Sequence, residues 1–107
     1  MKLIGLAALT TLLFSCASSE KVNSLAQCLN DKGATVYGAA GCGYCTKMKE
    51  DLGDSVGQIK YIDCGVEPVK CAEEKIEYFP TVIMGDGKRL TGYRSLEKLA
   101  RDTGCEW

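Results

Sequence analysis

The sequence predicts an α/β domain, a small mixed four-stranded sheet with helices on both faces. Three observations carry this. Helix-period and strand-period segments alternate in the order α-β-α-β-α-β-β-α, Gly85-Asp86-Gly87 supplies a hairpin turn between the last two strands, and a capped amphipathic segment closes the chain. A strand–helix–strand unit followed by a hairpin and a closing helix implies a mixed sheet. At 107 residues there is room for one domain.

Each element follows from local spacing. Val22, Leu25, Ala26 and Leu29 recur at helical intervals before Lys32-Gly33 stops the run. Ala34–Ala39 (ATVYGA) is rich in β-formers and small residues and reads as the first strand. Beyond a loop, Cys45, Met48 and Leu52 share one face of a second helix, with Lys47, Lys49, Glu50 and Asp51 on the others. Gly53 ends that helix. Gln58–Asp63 (QIKYID) alternates as a second strand, and Pro68–Glu77 is helix-compatible with proline in its first turn. Tyr78–Met84 reads as the third strand and Lys88–Tyr93 as the fourth. Ser95 caps the last helix, in which Leu96, Leu99 and Ala100 share a face and Glu97 occupies the first turn.

Residues 1–15 read as an export signal. Lys2 gives a positive start, Leu3–Phe14 an apolar run too short to span a bilayer, and Ser15–Ser19 a small-residue end. Leu13-Phe14-Ser15-Cys16 resembles a bacterial lipobox, which implies acylation of Cys16 and a lipid anchor in the membrane. The alternatives are cleavage after Ala17 with secretion as a soluble protein, and an uncleaved anchor. Residues 16–23 are then a polar tether and 24–107 the folded domain. In each case the expected location is extracytoplasmic, in the periplasm or at the cell surface.

A net charge of −1 gives no electrostatic reason to expect a nucleic-acid partner. The absence of histidine removes the commonest general base and a frequent zinc and haem ligand. Cysteine dominates instead, with seven in the chain. Cys16 is lipidated or lost with the signal, which leaves an even set: Cys28, Cys42, Cys45, Cys64, Cys71 and Cys105. An exported chain meets an oxidising compartment where disulfides persist, but a set of six leaves the pairing open.

Cys42-Gly43-Tyr44-Cys45 follows a strand and opens a helix. There Cys42 meets the unpaired amides and positive dipole end of the helix, which favour its thiolate and make it the attacking sulfur. Cys45, one turn further in on the apolar face, is more buried and suited to resolving a mixed disulfide. Glycines on both sides leave the Cys42 sulfur open to a partner's backbone. The competing readings are a structural staple and a pair of thiolates holding Cu(I). Pro80 is equally two-sided. A proline starting a strand can mark an edge, whereas a cis Phe79-Pro80 bond would turn the Phe79 backbone toward Cys42 and Cys45 as a substrate-docking segment.

Together these features resemble the thioredoxin superfamily. Three segments are similar, more narrowly, to the thioredoxin-like domain associated with vitamin K epoxide reductase-like membrane proteins. They are Cys28-Leu29 with Lys32-Gly33-Ala34 and Tyr37-Gly38-Ala39; Phe79-Pro80-Thr81; and Gly92 with Ser95–Ala100. The resemblance implies a shortened thioredoxin fold, a cis-proline at Pro80, and Cys42 and Cys45 as nucleophile and resolving residue. It also implies a membrane partner that reoxidises the pair with quinone. It suggests a Cys64–Cys71 bridge, which would close a short loop. Cys28 and Cys105, near the two ends of the domain, would tie the first helix to the last. Three departures stand out: Gly41 where the family has an aromatic residue, Gly43-Tyr44 in place of Pro-His, and Val36 where ordinary thioredoxins keep a buried acid.

The expectation is an exported thiol–disulfide oxidoreductase that uses Cys42 and Cys45 on the thiols or disulfides of client proteins, without metal or other cofactor. Client oxidation with recycling by the membrane partner is the favoured direction. Isomerase or reductase activity on the same fold is the first alternative, Cu(I) delivery by Cys42 and Cys45 the second, and a redox-inert domain with three structural bridges the third.

Overall fold

The computed structural model describes residues 16–107. The expected export signal, residues 1–15, lies outside the described residues. The elements are α1 (Cys16–Asp31), β1 (Thr35–Gly38), α2 (Gly43–Leu52), a 3-10 helix (Gly53–Gln58), β2 (Lys60–Asp63), α3 (Pro68–Glu73), β3 (Thr81–Ile83), β4 (Arg89–Thr91) and α4 (Leu96–Thr103). Among the described residues no helix is long and apolar enough to cross a membrane.

The four strands lie in the order β2-β1-β3-β4. β1 pairs parallel with β2 and antiparallel with β3, and β3 pairs antiparallel with β4. Register sets Tyr61, Val36, Val82 and Leu90 in one row across the sheet. Side chains alternate across a strand, so this row lines one face. Here the main core forms, with Leu25, Ala26 and Leu29 of α1, Met48 and Leu52 of α2, and Leu96, Leu99 and Ala100 of α4. The opposite face carries a smaller cluster of Tyr37, Ile62 and Cys71, with Cys64, Ile76 and Ile83 beside it. Helices therefore cover both faces unequally, three on one and the short α3 on the other.

The strands are one or two residues shorter at their ends than the sequence-based reading, and four further differences have identifiable causes. First, α1 begins at Cys16, so the segment expected as a tether is helical. It contains no glycine or proline to break the helix, Val22 packs against the main core, and Gln58 Nε2 donates a hydrogen bond to Asn23 Oδ1. Second, the 3-10 helix Gly53–Gln58 has no apolar period to announce it, and it is held where buried Ser55 and half-buried Val56 face the core side. Third, α3 stops at Glu73 rather than Glu77, because Lys75 takes a left-handed conformation (φ 54°) and Ile76 N–H turns back to the Cys71 carbonyl at 3.0 Å. Fourth, β3 begins only at Thr81, since Pro80 has no N–H to give to a ladder.

The ends of α4 follow the expected chemistry. Ser95 Oγ accepts from Lys98 N–H at 3.2 Å, and Gly104 takes the left-handed cap at φ 77°. Asp102 gathers Arg94 Nε at 2.8 Å and Lys98 Nζ at 3.2 Å. The hydrogen bond from Lys98 is the leading cause holding the Asp102 carboxyl below its usual range; Arg94 adds to it, against partial desolvation. Cys105, just past α4, is bonded to Cys28 of α1 with Cα atoms 6.0 Å apart across 77 positions.

Two predictions arise from this packing. Replacing Cys28 and Cys105 together by Ser releases a long loop in the unfolded chain and should lower stability by about 4 kcal/mol, read from urea midpoints. An unchanged midpoint would mean that apolar contacts alone hold α1 to α4. Asp102 has a depressed folded pKa, so its contribution is present above the ordinary carboxylate range and is lost as pH falls through its folded value. The melting temperature of Asp102→Asn should accordingly fall less on acidification than that of the unaltered protein.

Candidate active site at Cys42 and Cys45

The site grows from the end of β1. The strand finishes at Gly38, and Ala39-Ala40-Gly41 carries the chain over to Cys42, with Gly41 at φ 84° and Cys42 N–H donating to the Ala39 carbonyl at 3.3 Å. Cys42 is the N-cap of α2, in extended conformation, and its Sγ accepts a hydrogen bond from Cys45 N–H at 3.1 Å. Its carbonyl accepts from Thr46 N–H at 3.1 Å and Thr46 Oγ1 at 3.3 Å, which pins the first turn. The sulfur therefore lies where free helix amides and the positive dipole end converge, the environment that favours a thiolate.

Cys42 and Cys45 are bonded in this structure, with Cα atoms 5.2 Å apart. Cys42 is half-buried whereas Cys45 is only 2% exposed. Cys45 shares its buried helix face with Met48 and Leu52, as the i, i+3, i+7 spacing requires. A partner can reach the outer sulfur, and the inner one lies behind it.

Gly38 shows how tightly the inner sulfur is seated. A Cβ built at this position would fall on the Tyr61 hydroxyl and 3.0 Å from Cys45 Sγ. Only glycine lets the strand approach both groups. The Gly38 carbonyl also accepts from Cys64 N–H at 2.8 Å. Cys64 and Cys71 are bonded across the β2–α3 loop, with Cα atoms 5.6 Å apart and Cys71 buried.

The other expected site residues collect at the same end of the sheet. Register pairs Tyr37 with Thr81, which puts Pro80 next to Gly38. The Phe79–Pro80 bond is cis and Pro80 is buried, with its carbonyl accepting from Gly92 N–H at 2.8 Å. Thr81 Oγ1 donates to the Tyr78 carbonyl at 2.7 Å, which holds the segment in place. Phe79 and Tyr78 are exposed, as is Tyr44 between the two cysteines. Tyr44 stacks on Tyr93 with ring centroids 5.6 Å apart, and Tyr93 in turn donates to Asp51 Oδ2 at 2.5 Å. That hydrogen bond is the main reason the Tyr93 phenol lies above its ordinary pKa. Lys47 completes the group, 3.7 Å from Asp51 and above the Tyr93 ring.

Sequence reasoning missed two participants. Tyr61, given no role by the sequence, brings its hydroxyl to the point a Gly38 side chain would occupy, which Cys45 Sγ also borders; the glycine ending β1 was the available signal. The Tyr44–Tyr93–Asp51 group joins residues up to 49 positions apart and left no local pattern. Val36 is buried in the main core, so no acid stands at that position. Among the described residues no group of three or more Cys, Asp or Glu side chains converges as a metal site.

Gly38→Ala should force Tyr61 or Cys45 to move and cost about 1–3 kcal/mol by overpacking. Gly43→Ala, whose Cβ would meet nothing within 4 Å, should be tolerated. Thermal melting of the two variants against the unaltered protein checks the contrast.

No family model matches the chain. It is 38% identical over 99 residues to "Thiol-disulfide oxidoreductase LTO1" of Arabidopsis thaliana, an alignment that takes in 84% of this chain and 26% of that protein. The chain thus spans about a quarter of the length of that relative. In structure it is similar to the NTD_N/C domain of alkylhydroperoxide reductase AhpF from Enterococcus faecalis, with TM-score 0.57, 12% identity, and coverage of 77% of this chain and 42% of that one. The four-stranded mixed sheet, its helices and this structural likeness establish a thioredoxin-like fold.

Proposed function

We propose that the protein is an exported thiol–disulfide oxidoreductase in which Cys42 exchanges with client proteins and Cys45 resolves or releases the mixed disulfide. One observation carries the reading: an accessible sulfur at a helix N-cap, hydrogen-bonded by a first-turn amide at 3.1 Å, is bonded to a buried sulfur one turn behind it. Sequence similarity to a protein named as a thiol–disulfide oxidoreductase supports the same chemistry.

In the favoured direction a client thiolate attacks Cys42 Sγ and the Cys42–Cys45 bond breaks, leaving the electron pair on Cys45. A second client thiolate then attacks the client sulfur of the mixed disulfide, the client disulfide forms, and Cys42 leaves as a thiolate. The two electrons now held by Cys42 and Cys45 pass on to a membrane partner of the vitamin K epoxide reductase-like kind, which delivers them to quinone. The resemblance of the Cys28–Ala39, Phe79–Thr81 and Gly92–Ala100 segments supports that partner. The exposed rings of Tyr44, Tyr78 and Phe79 suit an apolar docking surface for clients. Residues 1–15 and Cys16 supply export and a lipid anchor in this scheme.

The reduction potential of the Cys42–Cys45 pair, measured by glutathione equilibration with mass-resolved thiol trapping, tests the direction. A value at or above about −180 mV is expected for a client oxidase or isomerase; one near about −270 mV would make the protein a reductase. Stoichiometric copper in anaerobically purified protein, lost in Cys42→Ser, would replace the redox reading by Cu(I) delivery.

A further inference from the structure

Exchange at this site creates a thiolate on Cys45 in either direction. As oxidant, the pair releases Cys45 as the leaving group; as reductant, Cys45 loses its proton before it attacks Cys42 and expels the client sulfur. A thiolate 2% exposed to water needs a compensating partner. The chain has no histidine, and the buried β1 position paired with Tyr61 is the apolar Val36.

We propose that the Tyr61 hydroxyl is that partner, donating a hydrogen bond to the Cys45 thiolate whenever the Cys42–Cys45 bond is open. The inference rests on the exchange reading given above. Tyr61 extends from β2 across the end of β1, and its hydroxyl and Cys45 Sγ flank one point, the space a Gly38 side chain would fill. No side chain at residue 38 separates them. Burial, and secondarily Asp63, hold the phenol above its ordinary pKa, so it remains a donor throughout the neutral range. Lys49 of α2 places its ammonium 4.1 Å from the centre of the same ring, adding a positive charge to the group. Lys49 is also one helical turn beyond Cys45 on α2.

The test is the pH dependence of Cys45 itself. In the full chain carrying Cys42→Ser, Cys45 is left as a free thiol whose alkylation rate can be followed by peptide mass, separately from every other cysteine. Adding Tyr61→Phe keeps the ring and its packing and deletes only the donor. The expected result is a rise in the Cys45 midpoint of about one pH unit, a tenfold loss of thiolate at a pH below both midpoints. Alongside, Tyr61→Phe in the chain with both cysteines should slow opening of the disulfide by glutathione several-fold, because the leaving sulfur becomes more basic. A Phe variant with native melting temperature and an unshifted midpoint overturns the assignment, since a purely packing role would leave the titration unmoved. If Cys42 and Cys45 of the unaltered chain do not exchange with glutathione at all, the exchange reading fails and this inference with it. If exchange persists and only the midpoint stays put, the role of Tyr61 alone is refuted.

Discussion

The last residue of β1 has no side chain, and two neighbours use the space this leaves. The Tyr61 hydroxyl from β2 and Cys45 Sγ from α2 approach it on one side. The loop after β2 is tied to its carbonyl by Cys64 N–H, and the register of β3 brings Pro80 alongside. A methyl group there would have to displace a ring or a sulfur that the core holds in place. The close approach of strand to helix start therefore depends on Gly38, and so does the seating of the buried sulfur. The outer sulfur needs no such accommodation, because it is positioned by the N-cap geometry of α2 itself.

That division separates two kinds of chemistry within one turn of helix. Cys42 is governed by local structure, where first-turn amides and the helix dipole act on any atom placed at an N-cap. Cys45 is governed by what packs over it, from β1, β2 and the rest of α2. A small domain with one dominant core on one face of a four-stranded sheet has few ways to hold such a site rigid. The Cys28–Cys105 bond fastens α1 to the chain after α4, and the Cys64–Cys71 bond closes the loop that abuts Gly38. Both lie on elements that support the site, and Cys71 is itself part of the smaller core.

Most of the fold was legible because its elements have strong local causes. The i, i+3, i+7 pattern of Cys45, Met48 and Leu52, the Ser95 cap and the Gly85-Asp86-Gly87 turn each act over a few residues and appear in the structure where expected. Boundaries were less legible where packing overrides period. α1 extends back to Cys16 through polar residues, and α3 ends early at a left-handed Lys75. The 3-10 helix Gly53–Gln58 is stabilised by what lies against it, with no repeat of its own to read.

The sequence by itself determined the order of elements, the two-residue spacing of Cys42 and Cys45 and their placement at the start of a helix. Those are properties of short segments, set by side-chain period, caps and turn residues. Only the tertiary structure decided that the Tyr61 hydroxyl and Cys45 Sγ converge on Gly38, and that Tyr44 stacks on Tyr93, which donates to Asp51. Such contacts join residues far apart in the chain, and they exist only once sheet register and helix packing have brought the side chains to the same point.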